Sequence, residues 1–193
     1  MNALSHLVGR RDWRRPLRYA LRIPLVLLML LVALPLALAQ NPWVARWRVH
    51  GEPMDQRLVR WWTHHVLRMI GIRVQAAGAP LGDPVMFVAN HCSWLDIVVV
   101  HTQRAVCFVA KAEIERWPLF GFLAASAGTI FHRRGKSDSL ARVMQVIVAR
   151  LRAGRSVAVF PEGGAAHGAN LKTFHARIFQ AGVDADVPIQ PMA

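Results

Sequence analysis

In the stretch Asn90-His91-Cys92-Ser93-Trp94-Leu95-Asp96, an imidazole and a carboxylate stand five residues apart, with a thiol and a hydroxyl between them. A carboxylate that holds one ring nitrogen of a histidine fixes its tautomer and leaves the other nitrogen to act as a general base. Residues five apart in one helix point about 140° away from each other. His91 and Asp96 therefore pair only if His91 lies in a turn and Asp96 in the first turns of a helix. On that reading Cys92 and Ser93 are small links, and Trp94 and Leu95 anchor the helix. A local turn histidine with Asp96 as a mere cap is the chemically silent alternative. Cys92 or Ser93 as nucleophile is the weaker rival, because adjacent side chains diverge and no G-x-S-x-G elbow occurs in the chain.

Two further stretches carry polar groups at the ends of apolar runs. Gly128-Thr129-Ile130-Phe131-His132-Arg133-Arg134-Gly135 sets adjacent arginines where they can grip a phosphate, unless they form an ordinary solvated loop. Phe160-Pro161-Glu162-Gly163-Gly164 places Glu162 between a stiff residue and backbone free to approach a ligand. An exposed acid in a simple turn is the competing reading of Glu162. The nine histidines show neither HExxH nor zinc-type Cys/His spacing, which argues against a metal site.

These residues need elements to position them. Short apolar runs at 85–89, 105–110 and 156–160 read as buried strands, and 187–192, with its prolines, as an edge strand. Leu140, Val143, Met144, Ile147, Val148 and Leu151 repeat at helical spacing, which predicts a helix over 137–151. Residues 53–70 read as an amphipathic helix with Arg57, Arg60, His64 and Arg68 recurring on it. Trp61 and Trp62 beside these arginines suit a helix in the lipid headgroup layer, or else an ordinary surface helix. Strands alternating with helices predict an α/β sheet covered on both faces, with chemistry gathered where loops leave the strands.

The formal net charge is +13, and residues 1–73 carry 12 Arg against 3 acids. The same third contains the uncharged run from Ile23 to Ala39, at the low edge of what spans a bilayer. A signal peptide, a single span and a re-entrant hairpin bent at Pro24 or Pro35 all fit. Arginines flank the run on both sides, and basic flanks favour the cytoplasmic face, so the hairpin is preferred. Nucleic acid is the rival partner for so basic a chain. However, the charge surrounds an apolar segment and is not interleaved with aromatics through the folded part, which favours an anionic membrane surface and no nucleic acid. Cys92 and Cys107, the only cysteines, form no paired framework and suggest a reducing compartment.

Taken in order, "NHCSWLD", "GTIFHRRG", "FPEGG" and "VPIQP" resemble the four motifs of the glycerolipid acyltransferases, the lysophosphatidate acyltransferases and their lysophospholipid relatives. Similarity also runs through "VAKAEIERWPLFGFLA" and "LKTFHARIFQAG", so that it covers about residues 60–193. The resemblance implies an α/β fold, a mixed sheet flanked by helices, after an N-terminal membrane-associated helical segment. It divides the chain into a membrane segment over 1–52 and an acyltransferase domain over 53–193, apparently truncated at its C-terminus. It implies that His91 takes a proton from the hydroxyl of a lysophospholipid, that Asp96 orients His91, and that Arg134 holds the acceptor phosphate, with Lys111 beside it. Gly128, Glu162 and Gly163 are implied to shape the substrate site. The acyl donor would be an acyl-carrier protein or CoA thioester, with no metal or other cofactor. The implied location is the inner (cytoplasmic) membrane, with the domain facing the cytoplasm.

Two departures bear on the acceptor. Gly164 and Ala165 stand where relatives commonly have Thr and often Arg, and His132 occupies a usually aliphatic position. Transfer to 1-acylglycerol-3-phosphate, giving phosphatidate, is the first expectation. A lyso-ornithine lipid or another lysophospholipid is the alternative acceptor, and a non-catalytic basic membrane-binding scaffold is the alternative from another class.

Overall fold

The computed structural model describes residues 14–38, 44, 46–133, 137–166 and 171–193. The apolar N-terminal run forms one helix, α1 (Arg14–Leu38), that continues through Pro24 and Pro35. Neither proline interrupts the helix, so the hairpin expected within this run does not form there. An interior proline removes one backbone hydrogen bond, but the leucine-rich sequence favours helix on both sides. Met29, Ala33 and Ala37 are also buried at four-residue spacing, which ties the helix down across Pro35. The chain turns back instead through α2 (Met54–Ile70), which follows a small antiparallel pair, β1 (Arg48–Val49) and β2 (Glu52–Pro53). The Trp62 indole donates to Met29 O at 2.8 Å, and Arg22 Nη1 donates to Ile70 O at 3.2 Å, so α1 and α2 run antiparallel. Gly71 ends α2 at φ +88°, and a Cβ there would stand 2.6 Å from the Arg22 guanidinium.

Trp62 thus faces α1 and not the headgroup layer, while Trp61 is exposed. Arg60 donates to both Glu52 oxygens, at 2.8 and 3.0 Å, which takes part of the predicted basic face into a local ion pair. Leu17, Leu21, Ile23, Leu27, Leu28 and Leu31 of α1 are exposed. The stretch Pro16–Pro35 is long and apolar enough to cross a membrane, by length and composition.

Among the described residues, the domain is built on five strands: β3 (Met86–Ala89), β4 (Cys107–Lys111), β5 (Ile130–His132), β6 (Val157–Val159) and β7 (Ile189–Met192). Their spatial order is β5-β4-β6-β3-β7. The expected α/β sheet flanked by helices is present. Every pairing in this sheet is parallel, so it is less mixed than expected. Residues alternate between two cores. Met86, Val88 and Val157 pack with Ile147 and Leu151 of α6 (Ser137–Arg152) and with Ala181 of α7 (Gln180–Ala185), whereas Val85, Phe87 and Phe108 pack with Val100 of α3 (Leu95–Gln103). Short helices α4 (Ala112–Glu115) and α5 (Pro118–Ser126) join β4 to β5, and α5 packs against α1. The proline-bearing β7 lies at an edge, as its sequence predicts.

Candidate active site

In an all-parallel sheet every strand ends on the same edge, and ligands gather there. β3 delivers His91 to that edge two residues beyond its last paired residue. The chain then turns through Cys92–Trp94, and α3 starts at Leu95, which puts Asp96 in its first turn. Asp96 Oδ2 lies 2.9 Å from His91 Nδ1 and accepts the backbone N–H groups of Cys92 at 2.7 Å and Ser93 at 2.8 Å. The turn geometry that a five-residue offset demands is therefore present. A carboxylate oxygen that accepts from all three assigns the ring proton to Nδ1 and leaves the lone pair on Nε2. Ser93 Oγ accepts from Leu95 N–H at 3.2 Å, so both small residues serve the turn. Trp94 does not anchor α3: the residue is 65% exposed, and the neighbouring Leu95 is only half-buried.

The ring of His91 stacks on Phe160 with centroids 4.1 Å apart and planes 17° from parallel. Phe160 follows β6, the neighbour of β3, and stacks in turn on Phe108. Glu162, two residues further on, is buried at 6% exposure, which excludes the exposed-turn reading. Its Oε2 accepts the backbone N–H of His91 at 3.0 Å, and Ala166 N–H donates to His91 O at 2.6 Å. Gly163 adopts φ +68° in the tight turn that this loop makes, and a Cβ there would stand 3.4 Å from the His175 ring. Lys172 Nζ donates to Ala165 O at 2.6 Å.

The remaining predicted residues divide. Lys111 closes β4 on the same edge, exposed, two strand spacings or about 10 Å from the β3 axis. Arg134 lies outside the described residues; Arg133, just past β5, is exposed. Gly128 is not brought to His91. It precedes β5, and a residue before a parallel strand falls on the opposite edge of the sheet, where Gly128 packs near Cys107 Sγ and Arg155. His132, an odd residue for its motif, lies 2.9 Å through Nδ1 from Ser139 Oγ in the first turn of α6.

Phe160, Lys172 and His175 escaped the sequence reading. Only Phe160 carried a usable signal, an aromatic at a strand end beside the acid. His101, on the far part of α3, is buried against Phe108, and burial pushes its imidazole from 6.5 down to about 4. It lines a small open cleft with Asp55, Gln56 and Arg155 at the amino ends of the strands, away from His91.

A family model described as "Acyltransferase" matches residues 54–193. A lyso-ornithine lipid O-acyltransferase of Pseudomonas aeruginosa is 41% identical over 84% of this chain and 64% of its own length. The 1-acyl-sn-glycerol-3-phosphate acyltransferase of Neisseria gonorrhoeae is 32% identical over 64% of this chain and 49% of its own. The chain thus spans about half to two-thirds of the length of these curated relatives. The crystal structure of the 1-acyl-sn-glycerophosphate (LPA) acyltransferase PlsC from Thermotoga maritima superposes with a TM-score of 0.73 at 17% identity, covering 94% of this chain and 75% of that one, a likeness of fold.

Proposed function

The chain belongs to the acyltransferase family, and from that premise we propose that it acts at a membrane surface, transferring a fatty acyl group from a thioester to the free hydroxyl of a lysolipid. The observation that carries the reading is the His91–Asp96 pair at 2.9 Å, set at the carboxyl edge of a parallel sheet. Nε2 of His91 takes the hydroxyl proton of the acceptor as its oxygen attacks the thioester carbonyl. Collapse of the tetrahedral intermediate forms the ester and breaks the C–S bond, and the departing thiolate takes the acceptor's proton from His91 to leave as the free thiol. Asp96 stabilises the imidazolium in between. The donor is an acyl-carrier protein or CoA thioester, and no metal or other cofactor takes part.

A lyso-ornithine lipid is the acceptor we favour. Support comes from the Pseudomonas aeruginosa relative at 41% identity and from Gly164-Ala165, which lacks the polar side chains common after this motif. Lysophosphatidate, giving phosphatidate, is the second reading, supported by the Neisseria gonorrhoeae relative. Lys111 and Arg134 are proposed to meet the anionic group of either acceptor. The exposed leucines of α1, with Trp117, Phe120 and Phe122 around α5, suit the lipid, and Arg68, Arg73 and His64 line a neighbouring basic groove that suits its anionic headgroups. We place the domain on the cytoplasmic face of the inner membrane, where activated thioesters are found.

Membranes containing the protein, given a labelled acyl thioester and a panel of lysolipids, test the reading. The expected product is greatest with lyso-ornithine lipid, and His91→Ala lowers the rate by about 10²–10⁴-fold. Preference for lysophosphatidate selects the second acceptor. Equal product from His91→Ala removes the proposed base, and no product above that of membranes lacking the protein leaves the non-catalytic scaffold.

A further inference from the structure

The loop after β6 holds the main chain of His91 from both sides. Glu162 Oε2 accepts its N–H at 3.0 Å, and the N–H of Ala166 donates to its carbonyl at 2.6 Å. Phe160, at the start of the same loop, covers one face of the ring at 4.1 Å. Glu162 is 6% exposed, and its second oxygen, Oε1, is buried with no hydrogen-bond partner among the described residues. A carboxylate that is buried and spends its one hydrogen bond on a backbone amide is poorly placed to meet a lipid headgroup.

We propose that Glu162 is a positioning residue for His91, not a ligand of the acceptor. It rests on the reading of His91 as the base. Asp96 sets the proton on Nδ1, the Phe160 face sets the ring plane, and Glu162 with Ala166 fixes where the ring is rooted. A base acting on a bound hydroxyl must hold hydrogen-bond distance, and a displacement of about 1 Å at a reacting centre can cost about 10²-fold in rate. Loss of the Glu162 bond therefore falls on kcat. An amide oxygen accepts an N–H as a carboxylate does, so Gln replaces Glu162 in this role but not in one that needs its charge.

The test is kcat and KM, for lysolipid acceptor and for acyl thioester, in wild type, Glu162→Gln, Glu162→Ala and His91→Ala, with thermal unfolding of each in detergent. The expectation is that Glu162→Gln keeps kcat within about threefold, while Glu162→Ala loses up to about 10²-fold in kcat with both KM values within about twofold. Glu162→Met, which fills the same space but offers no acceptor to the His91 N–H, serves if Glu162→Ala does not fold: a fall in kcat at constant KM is expected there too. A rise of tenfold or more in the acceptor KM of Glu162→Gln with kcat retained would overturn the proposal, as would a Gln variant as slow as Ala. His91→Ala separates the two levels: if it stays active, the base reading itself fails; if it is dead while Glu162→Gln shows the KM effect, only the positioning role fails.

Discussion

Replacing Asp96 with Asn changes one property of the site and spares the others. Among the described residues, the hydrogen bonds of the Asp96 side chain converge on a single oxygen, from Cys92 N–H, Ser93 N–H and His91 Nδ1, at 2.7, 2.8 and 2.9 Å. The amide oxygen of Asn accepts all of them, so the turn, the tautomer and the position of α3 persist. What disappears is the negative charge that faces the imidazolium as the hydroxyl proton arrives. For charges about 4 Å apart at an effective dielectric near 20, that interaction is about 4 kcal/mol. The side chains of His91 and Asp96 are 17% and 27% exposed, so solvent screens part of it and the figure is a ceiling. With 1.36 kcal/mol per decade, kcat should fall by about 10²–10³-fold. The loss should appear equally in kcat and kcat/KM, because the charge is needed only after proton transfer begins. Asp96→Ala, which also releases the turn, should be slower still and less stable. Steady-state acyl transfer in detergent micelles, with thermal unfolding as a control on folding, measures this. An Asn variant within threefold of wild type, beside an Ala variant that is dead, would show that Asp96 only shapes the turn.

Two predictions concern stability. His101 titrates near 6.5 when unfolded, but burial pushes it down to about 4 in the fold. Between those values the unfolded chain binds a proton that the folded one does not, so stability falls as pH drops from 6.5 toward 4 and changes no further below. The full loss is about 3 kcal/mol. In His101→Leu that component of the pH slope should vanish, read as the difference in unfolding midpoint between pH 7 and pH 4.5; an unchanged slope would assign it to other groups. Ile147 of α6 is fully buried beneath the sheet, and Ile147→Ala should cost about 2–5 kcal/mol, measured by denaturant unfolding of the detergent-solubilised protein; a loss under 1 kcal/mol would mean that the helix repacks onto the sheet.

The periodic parts of the fold were legible because burial writes itself into composition. The runs at 85–89, 105–110 and 156–160 became β3, β4 and β6, and the repeat from Leu140 to Leu151 became α6. β5 escaped because it is three residues long and its last residue is a histidine. The hairpin expected at a proline failed for the opposite reason. Sequence displays the hydrogen bond that Pro24 or Pro35 lacks, but not the packing of Met29, Ala33 and Ala37 that keeps α1 continuous across Pro35. In the site, the His91–Asp96 pair was legible because both ends are side chains at a spacing that a turn must reconcile. The bond from Glu162 to the backbone of His91 was not, since a peptide N–H is present at nearly every position and leaves no mark. Gly128 was misplaced because motif order gives no strand direction: it precedes the short strand that His132 ends, and so the two lie toward opposite edges of the sheet.

Strand order explains how the loop beyond Glu162 can change while the base stays fixed. β6 inserts between β3 and β4, so a loop some seventy residues after His91 becomes its immediate neighbour. The bonds that hold His91 come from residues 162 and 166. Gly164 and Ala165, the departures from the commoner motif, lie between those two anchors. A side chain added or removed there alters the loop between the anchors without removing either bond to His91. If the chain acts on lysolipids as proposed, substitutions at 164 and 165 are expected to shift the acceptor preference in the lysolipid panel while His91 keeps its place. A change at Glu162, or a proline at 166 that removes the N–H, slows the reaction for every acceptor alike.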